Sequence, residues 1–200
     1  MDLEQLRAEI ASGDPARSMP ALARLRGATP EQAEPLLLLG LQQSPFLVRS
    51  LSCAGLGMKP TPAGWEALVA ALETDEDANV RAEAANALVS HSLERAWPLL
   101  RLAFARDDQW LVRCSILSAM AEHPAMAAAD LLELARLALV DADGTVRVGG
   151  AEILGRLVRE AGNGTPGAAA AAAEARAELV RLQNDSDHRV VAAALNGLQG

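Results

Sequence analysis

Five valines, Val48, Val80, Val112, Val146 and Val190, each open a similar stretch of about eleven residues. Four of them stand in a Val-Arg pair behind an acidic or polar turn: QQSPFLVRSLSCAGLG, TDEDANVRAEAANALV, ARDDQWLVRCSILSAMA and VDADGTVRVGGAEILG. The fifth stretch, NDSDHRVVAAALNGLQ, keeps the frame with Val191 in place of arginine. The valines recur at intervals of 32, 32, 34 and 44 residues. A repeat of this size marks a chain of supersecondary units that cannot bury their apolar faces alone and must stack to do so.

The spacing inside each unit is helical. Five residues after the valine stand Cys53, Ala85, Leu117, Ala151 or Leu195, and eight after it Leu56, Leu88, Met120, Leu154 or Leu198. Positions 0, +4, +5 and +8 fall on one stripe of a 3.6-residue helix. Asp75, Asp107, Asp141 and Asp185 each lie five residues before their valine, in the turn that opens this helix. A second apolar segment precedes each turn: Trp65 to Leu72, Trp97 to Phe104 and Leu131 to Leu139. Each repeat therefore reads as helix A, a short acidic turn and helix B. Glycine and alanine on helix B permit hairpins to stack about 8–10 Å apart.

The expected layout is a single domain over residues 1–200. Residues 1–27 form a capping hairpin broken at Ser12-Gly13-Asp14-Pro15, and repeats follow at 30–57, 62–91, 93–123, 126–160 and 168–198. A Gly/Pro-rich linker at 161–167 accounts for the long last interval, and the alanine run Ala168–Ala173 restarts a helix by its high propensity. Trp65 and Trp97, 32 residues apart, read as packing residues at the start of helix A, and Trp110, in an acidic turn, reads as an exposed anchor.

Composition excludes several function classes. Half of the residues are hydrophobic but only 2% aromatic, so small aliphatic side chains fill the core. A net charge of −8 and a pI near 4.9 argue against nucleic acid as a partner. Two cysteines do not make a disulfide scaffold, and Cys53 falls at a core position. Pro35–Leu41 is much shorter than the ~20 apolar residues of a membrane span. With no signal-type stretch at the N-terminus, the expectation is a cytoplasmic protein without membrane insertion.

Catalytic signatures are missing as well. The segment GNGTPG lacks the Lys-Ser/Thr of a phosphate loop, and no Gly-x-Ser-x-Gly elbow occurs. His91 and His123 both lie eleven residues after their valine, at helix-B C-termini, where a partly cationic group suits the helix end. The reading is no catalytic residue, no metal ligand and no cofactor.

The period, the hairpin and the Asp…Val-Arg…Ala-Leu frame resemble HEAT-type repeats over residues 30–200, and the short form is similar to the repeats of phycobilisome lyase subunits of the E/F type. The resemblance implies an all-α, right-handed α-solenoid of about five hairpins plus the cap. It also implies a ladder between neighbouring repeats, formed by Asp75, Asp107, Asp141 and Asp185 with Arg49, Arg81, Arg113 and Arg147. Gln43 and Val191 depart from that pattern at the two ends, where one neighbour is missing. HEAT-like deoxyhypusine hydroxylases carry His-Glu metal motifs, and no His-Glu occurs here.

In such solenoids helix B lines the concave side, which makes its outward positions the candidates for binding. Leu51 and Met58 stand there in the first repeat, Glu83, Asn86 and Ser90 in the next, then Ser115, Ser118 and Glu122, then Glu152 and Arg156. The track runs from apolar to mildly acidic and suits a protein partner carrying a basic or amphipathic segment. The expected function is a non-catalytic scaffold or adaptor. Two alternatives stand beside it: a bilin lyase subunit or phycobiliprotein chaperone working with a second HEAT subunit, and an adaptor for iron–sulphur or metal assembly proteins.

Overall fold

A computed structural model of the chain describes residues 2–162 and 167–199. Regular structure among these residues is helical throughout, with no strand. The helices are α1 (Leu3–Ala11), α2 (Pro15–Arg24), α3 (Pro30–Leu41), α4 (Phe46–Met58), α5 (Pro62–Thr74), α6 (Ala78–His91), α7 (Leu93–Arg106), α8 (Trp110–Glu122), α9 (Ala128–Leu139), α10 (Gly144–Arg159), α11 (Ala168–Leu182) and α12 (His188–Leu198). Odd-numbered helices from α3 onward are the A helices and even-numbered ones the B helices. The fold is an all-α solenoid of stacked HEAT-like hairpins. Of the linker at 161–167, residues 163–166 lie outside the described residues; Ala161 and Gly162 sit in a 3-10 turn, and Gly167, at φ +79°, immediately precedes α11.

Contacts divide the chain into two compact units, residues 1–115 and 116–200, the division falling within α8. In the first unit α1 and α2 form the opening hairpin, with the turn made by Gly13 at φ +66°. Asp2 and Asp14 cap the two helices through their carboxylates, and buried Ser18 donates to the Glu9 and Ile10 carbonyls. Lys59, the chain's one lysine, donates to the carbonyls of Arg26 and Ala28 at 2.9 and 2.7 Å, tying the end of α4 to this cap. Small residues let the B helices approach closely: a Cβ on Gly57 of α4 would stand 3.0 Å from the Cα of Ala87 on α6.

The second unit repeats this logic. Gly155 of α10 meets Gly197 of α12 so closely that a Cβ on either would stand about 3 Å from the other's Cα. The valine stripe is buried in the four repeats before the last, at Cys53, Ala85, Leu117 and Ala151 among others. In the last repeat the expectation fails. Val190 and Ala194 are buried, but Leu195 at the +5 position is 45% exposed.

The acidic turns hold the repeats together by two carboxylates with separate tasks. The first aspartate accepts a backbone N–H two residues on: Asp77 to Asp75 at 2.9 Å, Gln109 to Asp107 at 3.0 Å, Asp143 to Asp141 at 2.8 Å and Asp187 to Asp185 at 2.8 Å. The second aspartate, where present, caps helix B, as Asp77, Asp143 and Asp187 do for α6, α10 and α12. One arginine then joins two turns. Arg81 Nε and Nη2 bond both oxygens of Asp107 at 2.7 and 3.0 Å, while its Nη1 donates to the Asp75 and Glu76 carbonyls of its own turn.

Arg49 makes the same fork on Asp75, and Arg147 on Asp185. Their Nη1 groups reach back to Gln43 and Ser44, and to Asp141 and Ala142. Arg113 likewise donates to its own turn, at the Asp107 carbonyl, at 2.7 Å. Side chains of the forked pairs are 8–14% exposed. Among the described residues no buried side-chain nitrogen or oxygen lacks a hydrogen-bond partner.

Removing Arg81 strands Asp107 and two carbonyls in a nearly dry site. Arg81→Ala is expected to cost about 3 kcal/mol in urea unfolding. The pH dependence follows from the same bonds. Burial works to raise the Asp75 and Asp107 carboxyls, but their arginine and backbone hydrogen bonds outweigh it and hold both below the usual carboxylate range. At Asp185 the Arg147 hydrogen bonds dominate, with the same result. A depressed folded-state pKa gives stability that is present above the unfolded pKa and lost as pH falls through the folded one. Unfolding titrations should therefore show stability holding down to about pH 4 and dropping below it, with a shallower drop in Arg81→Ala.

Candidate functional site

The outward face of the B helices in the first unit is the candidate surface. On α4, Leu47, Leu51, Ala54 and Met58 stand at i, i+4, i+7 and i+11, which places all four on one narrow stripe. Leu47 is 45% and Met58 52% exposed, and Leu51 and Ala54 are half-buried between them. The opposite side of α4 goes inward at Val48, Ser52, Cys53, Gly55 and Leu56, so this helix is mainly apolar on its outward as well as its inward stripe. A helix of that kind normally has both faces covered.

Thirty-two residues on, α6 presents the same register with polar groups: Asn79, Glu83, Asn86 and Ser90. Ser90 is exposed and donates to the Asn86 carbonyl at 3.2 Å. Glu83 and Asn86 are half-buried. Burial pushes the Glu83 carboxyl above its usual range. Among the described residues Glu83 has no hydrogen bond or ion pair, and its charge is felt by the Cys53 thiol on the neighbouring helix.

The other candidates divide between the units. In the first, Ser115 is half-buried and Trp110 is 47% exposed. Trp110 is not in the turn, as its acidic surroundings led us to expect, but is the first residue of α8. Three residues of turn, Asp107 to Gln109, suffice to reverse the chain there. In the second unit Ser118, Glu122 and Glu152 are exposed, and Arg156 is committed to Glu160 one turn on at 2.8 Å. Leu47 was missed in the sequence because its equivalents, Asn79, Leu111, Thr145 and Arg189, share no chemistry; its signal was the stripe it shares with Leu51 and Met58.

The groups that could do chemistry are otherwise engaged. His91, the last residue of α6, donates from Nε2 to the Leu56 carbonyl at 2.9 Å and tilts against Trp65 with ring centroids 5.9 Å apart. Arg95 covers the same indole, its guanidinium carbon 3.9 Å from the ring centroid. Trp65 is thus a packed residue, 5% exposed, and Trp97 is half-buried. His123, just after α8, accepts the Ala125 backbone N–H at Nδ1. Among the described residues no group of three or more His, Cys, Asp or Glu is placed to hold a metal ion, and no helix is long and apolar enough to cross a membrane.

Residues 34–121 match the family model described as HEAT repeats, a span that contains the α4–α6 face and its two arginine forks. Over that span the chain is similar to HEAT repeats, in keeping with its stacked helical hairpins. No curated protein matches the chain.

The two thiols provide a check on the core beneath the face. Cys53 is fully buried and its pKa is pushed up to about 12, first by burial and then by the nearby carboxylates. Thiolate is the reactive form, so Cys53 should resist maleimide at neutral pH in the folded protein and label only in denaturant. Peptide mass spectrometry of labelled native protein reads this directly.

Proposed function

We propose that this chain is a non-catalytic protein-interaction module that binds an amphipathic, basic segment of a partner protein across α4 and α6. HEAT repeats commonly serve this purpose. The observation that carries the reading is the boundary between two stripes of identical register: four apolar side chains on α4, and beside them a half-buried, unpaired carboxylate at Glu83 on α6. A helix laid over that boundary would place apolar residues at i, i+3 or i+4, and i+7 against Leu47, Leu51 and Met58. An arginine or lysine on its other side would reach Glu83.

Glu83 in this reading carries a cost in the free protein that the partner relieves. A carboxylate held half out of water without a counter-charge is disfavoured. Such placement is typical of residues kept for binding at the expense of stability. This surface gives a bilin's propionates nothing to pair with, since the two stripes offer aliphatic, amide, hydroxyl and carboxylate groups and no arginine or lysine.

Selection of peptides from a displayed random library against the full chain tests the proposal. The expected consensus is an amphipathic helix with at least one basic residue. Binding should fall at least about tenfold in Leu51→Glu and in Met58→Glu. Glu83→Gln should weaken the same peptides while leaving unfolding stability equal or higher. Peptides that bind the wild type and all three variants alike, or a consensus rich in acidic residues, would overturn the assignment. Visible absorbance retained after incubation with a bilin would favour the lyase alternative instead.

A further inference from the structure

We propose that the furrow between the A helices α5 and α7 is a second docking site, one that takes a single helix of a partner protein. Pro62, Glu66, Val69 and Glu73 stand on α5 at i, i+4, i+7 and i+11. Arg95, Leu99, Leu102 and Arg106 stand on α7 at the same spacing, so each set forms one stripe. The two stripes line two clefts that follow one another along the furrow. Pro62, Glu66 and Arg95 line the smaller, of about 470 Å³. Val69, Glu73, Leu99, Leu102 and Arg106 line the larger, of about 750 Å³. Leu72, 4% exposed, also lines the larger cleft, while Leu102 is 48% exposed.

The furrow is pinned at both ends. At one end Arg95 reaches from α7 to α5, its guanidinium carbon 3.9 Å from the Trp65 ring centroid. At the other end Arg81 joins the turn after α5 to the turn after α7, through the Asp75 carbonyl and the Asp107 carboxylate. Between these ends opposite charges line the two walls without meeting. Glu66 and Glu73 on α5 and Arg106 on α7 are exposed, and among the described residues none of the three side chains has a hydrogen bond or an ion pair. The A helices α9 and α11 of the second unit are instead bridged directly, by Arg136 with Glu174 and Glu178 at 2.7 and 3.6 Å. The α5–α7 furrow holds charges for such a bridge and leaves them apart over an apolar floor.

The chemistry of the walls defines the occupant. Thirteen residues of α5 give a trough about 20 Å long, which matches an elongated segment better than a compact small molecule. Both walls are helices whose backbone groups are already bonded along their own length. An extended peptide would therefore leave its N–H and C=O groups unpaired against Val69, Leu99 and Leu102, whereas a helix brings its own bonds with it. Charge complementarity sets the rest. The α5 wall is acidic and the α7 wall basic, so the helix carries basic residues on one flank, acidic residues on the other and an apolar edge between them. That distinguishes it from a ligand of the α4–α6 face, where the lone charge is the Glu83 carboxylate.

Selection of displayed peptides against the full chain carrying Leu51→Glu and Met58→Glu, which blocks the α4 face, tests this. The expected consensus is an amphipathic helix with one basic and one acidic flank. Its affinity should fall at least about tenfold when Leu102→Glu or Arg106→Glu is added to that background, with the thermal melt unmoved because both sites are exposed. Glu73→Arg should weaken it likewise. An absence of binders would overturn the proposal, as would a consensus with charge of one sign, an extended consensus, or binding indifferent to the α7 variants. The selection is made without the α4 face, so the failure of that reading and the failure of this one are separate results.

Discussion

Arginine forks between successive turns join what helix packing alone would leave free to slide. Alanine and glycine on the B helices give close contact but little shape, because small side chains interlock poorly. The fork supplies the missing register: Nε and Nη2 hold the carboxylate of the next turn, and Nη1 holds the carbonyls of the arginine's own turn. A planar group with donors on two edges can bridge two turns in this way, and an ammonium cannot. That offers a physical reason for arginine at 49, 81 and 147 in a chain with a single lysine.

Much of this was legible in the sequence, and the legible part has a common cause. Val-Arg, the aspartate five residues earlier and the second aspartate that caps helix B each perform one local task in repeat after repeat, so recurrence exposes them. The rest depended on neighbours that no repeat shows by itself. Leu195 has the type of a core residue and the +5 position of one, yet it is 45% exposed. Trp110 is helical because it holds the first position of its B helix, as Ala78, Gly144 and His188 do in theirs, and the acidic residues before it masked that register. Leu47 was hidden by the variety of its equivalents, and Glu83 looked like an ordinary solvated carboxylate until its burial was seen.

The α4 face departs from the repeat in one respect. Its outward stripe is apolar where that of α6 is polar, while the inward packing stays regular. The exposed apolar groups sit on a rigid helix, so little ordering cost falls on association.

The forks on Asp75 and Asp107 span 26 residues of chain, and the fork on Asp185 spans 38, with nearly the same bond lengths. Twelve additional residues, spread over α10, the connection, α11 and the turn before Asp185, have thus been accepted without disturbing the joint they bypass, as expected when closure entropy grows slowly with length. Spacing along the backbone and spacing along the stack are in this sense decoupled. The connection between those helices is a natural place to graft foreign sequence, a tag or an entire folded guest, into an array whose joints would not sense it.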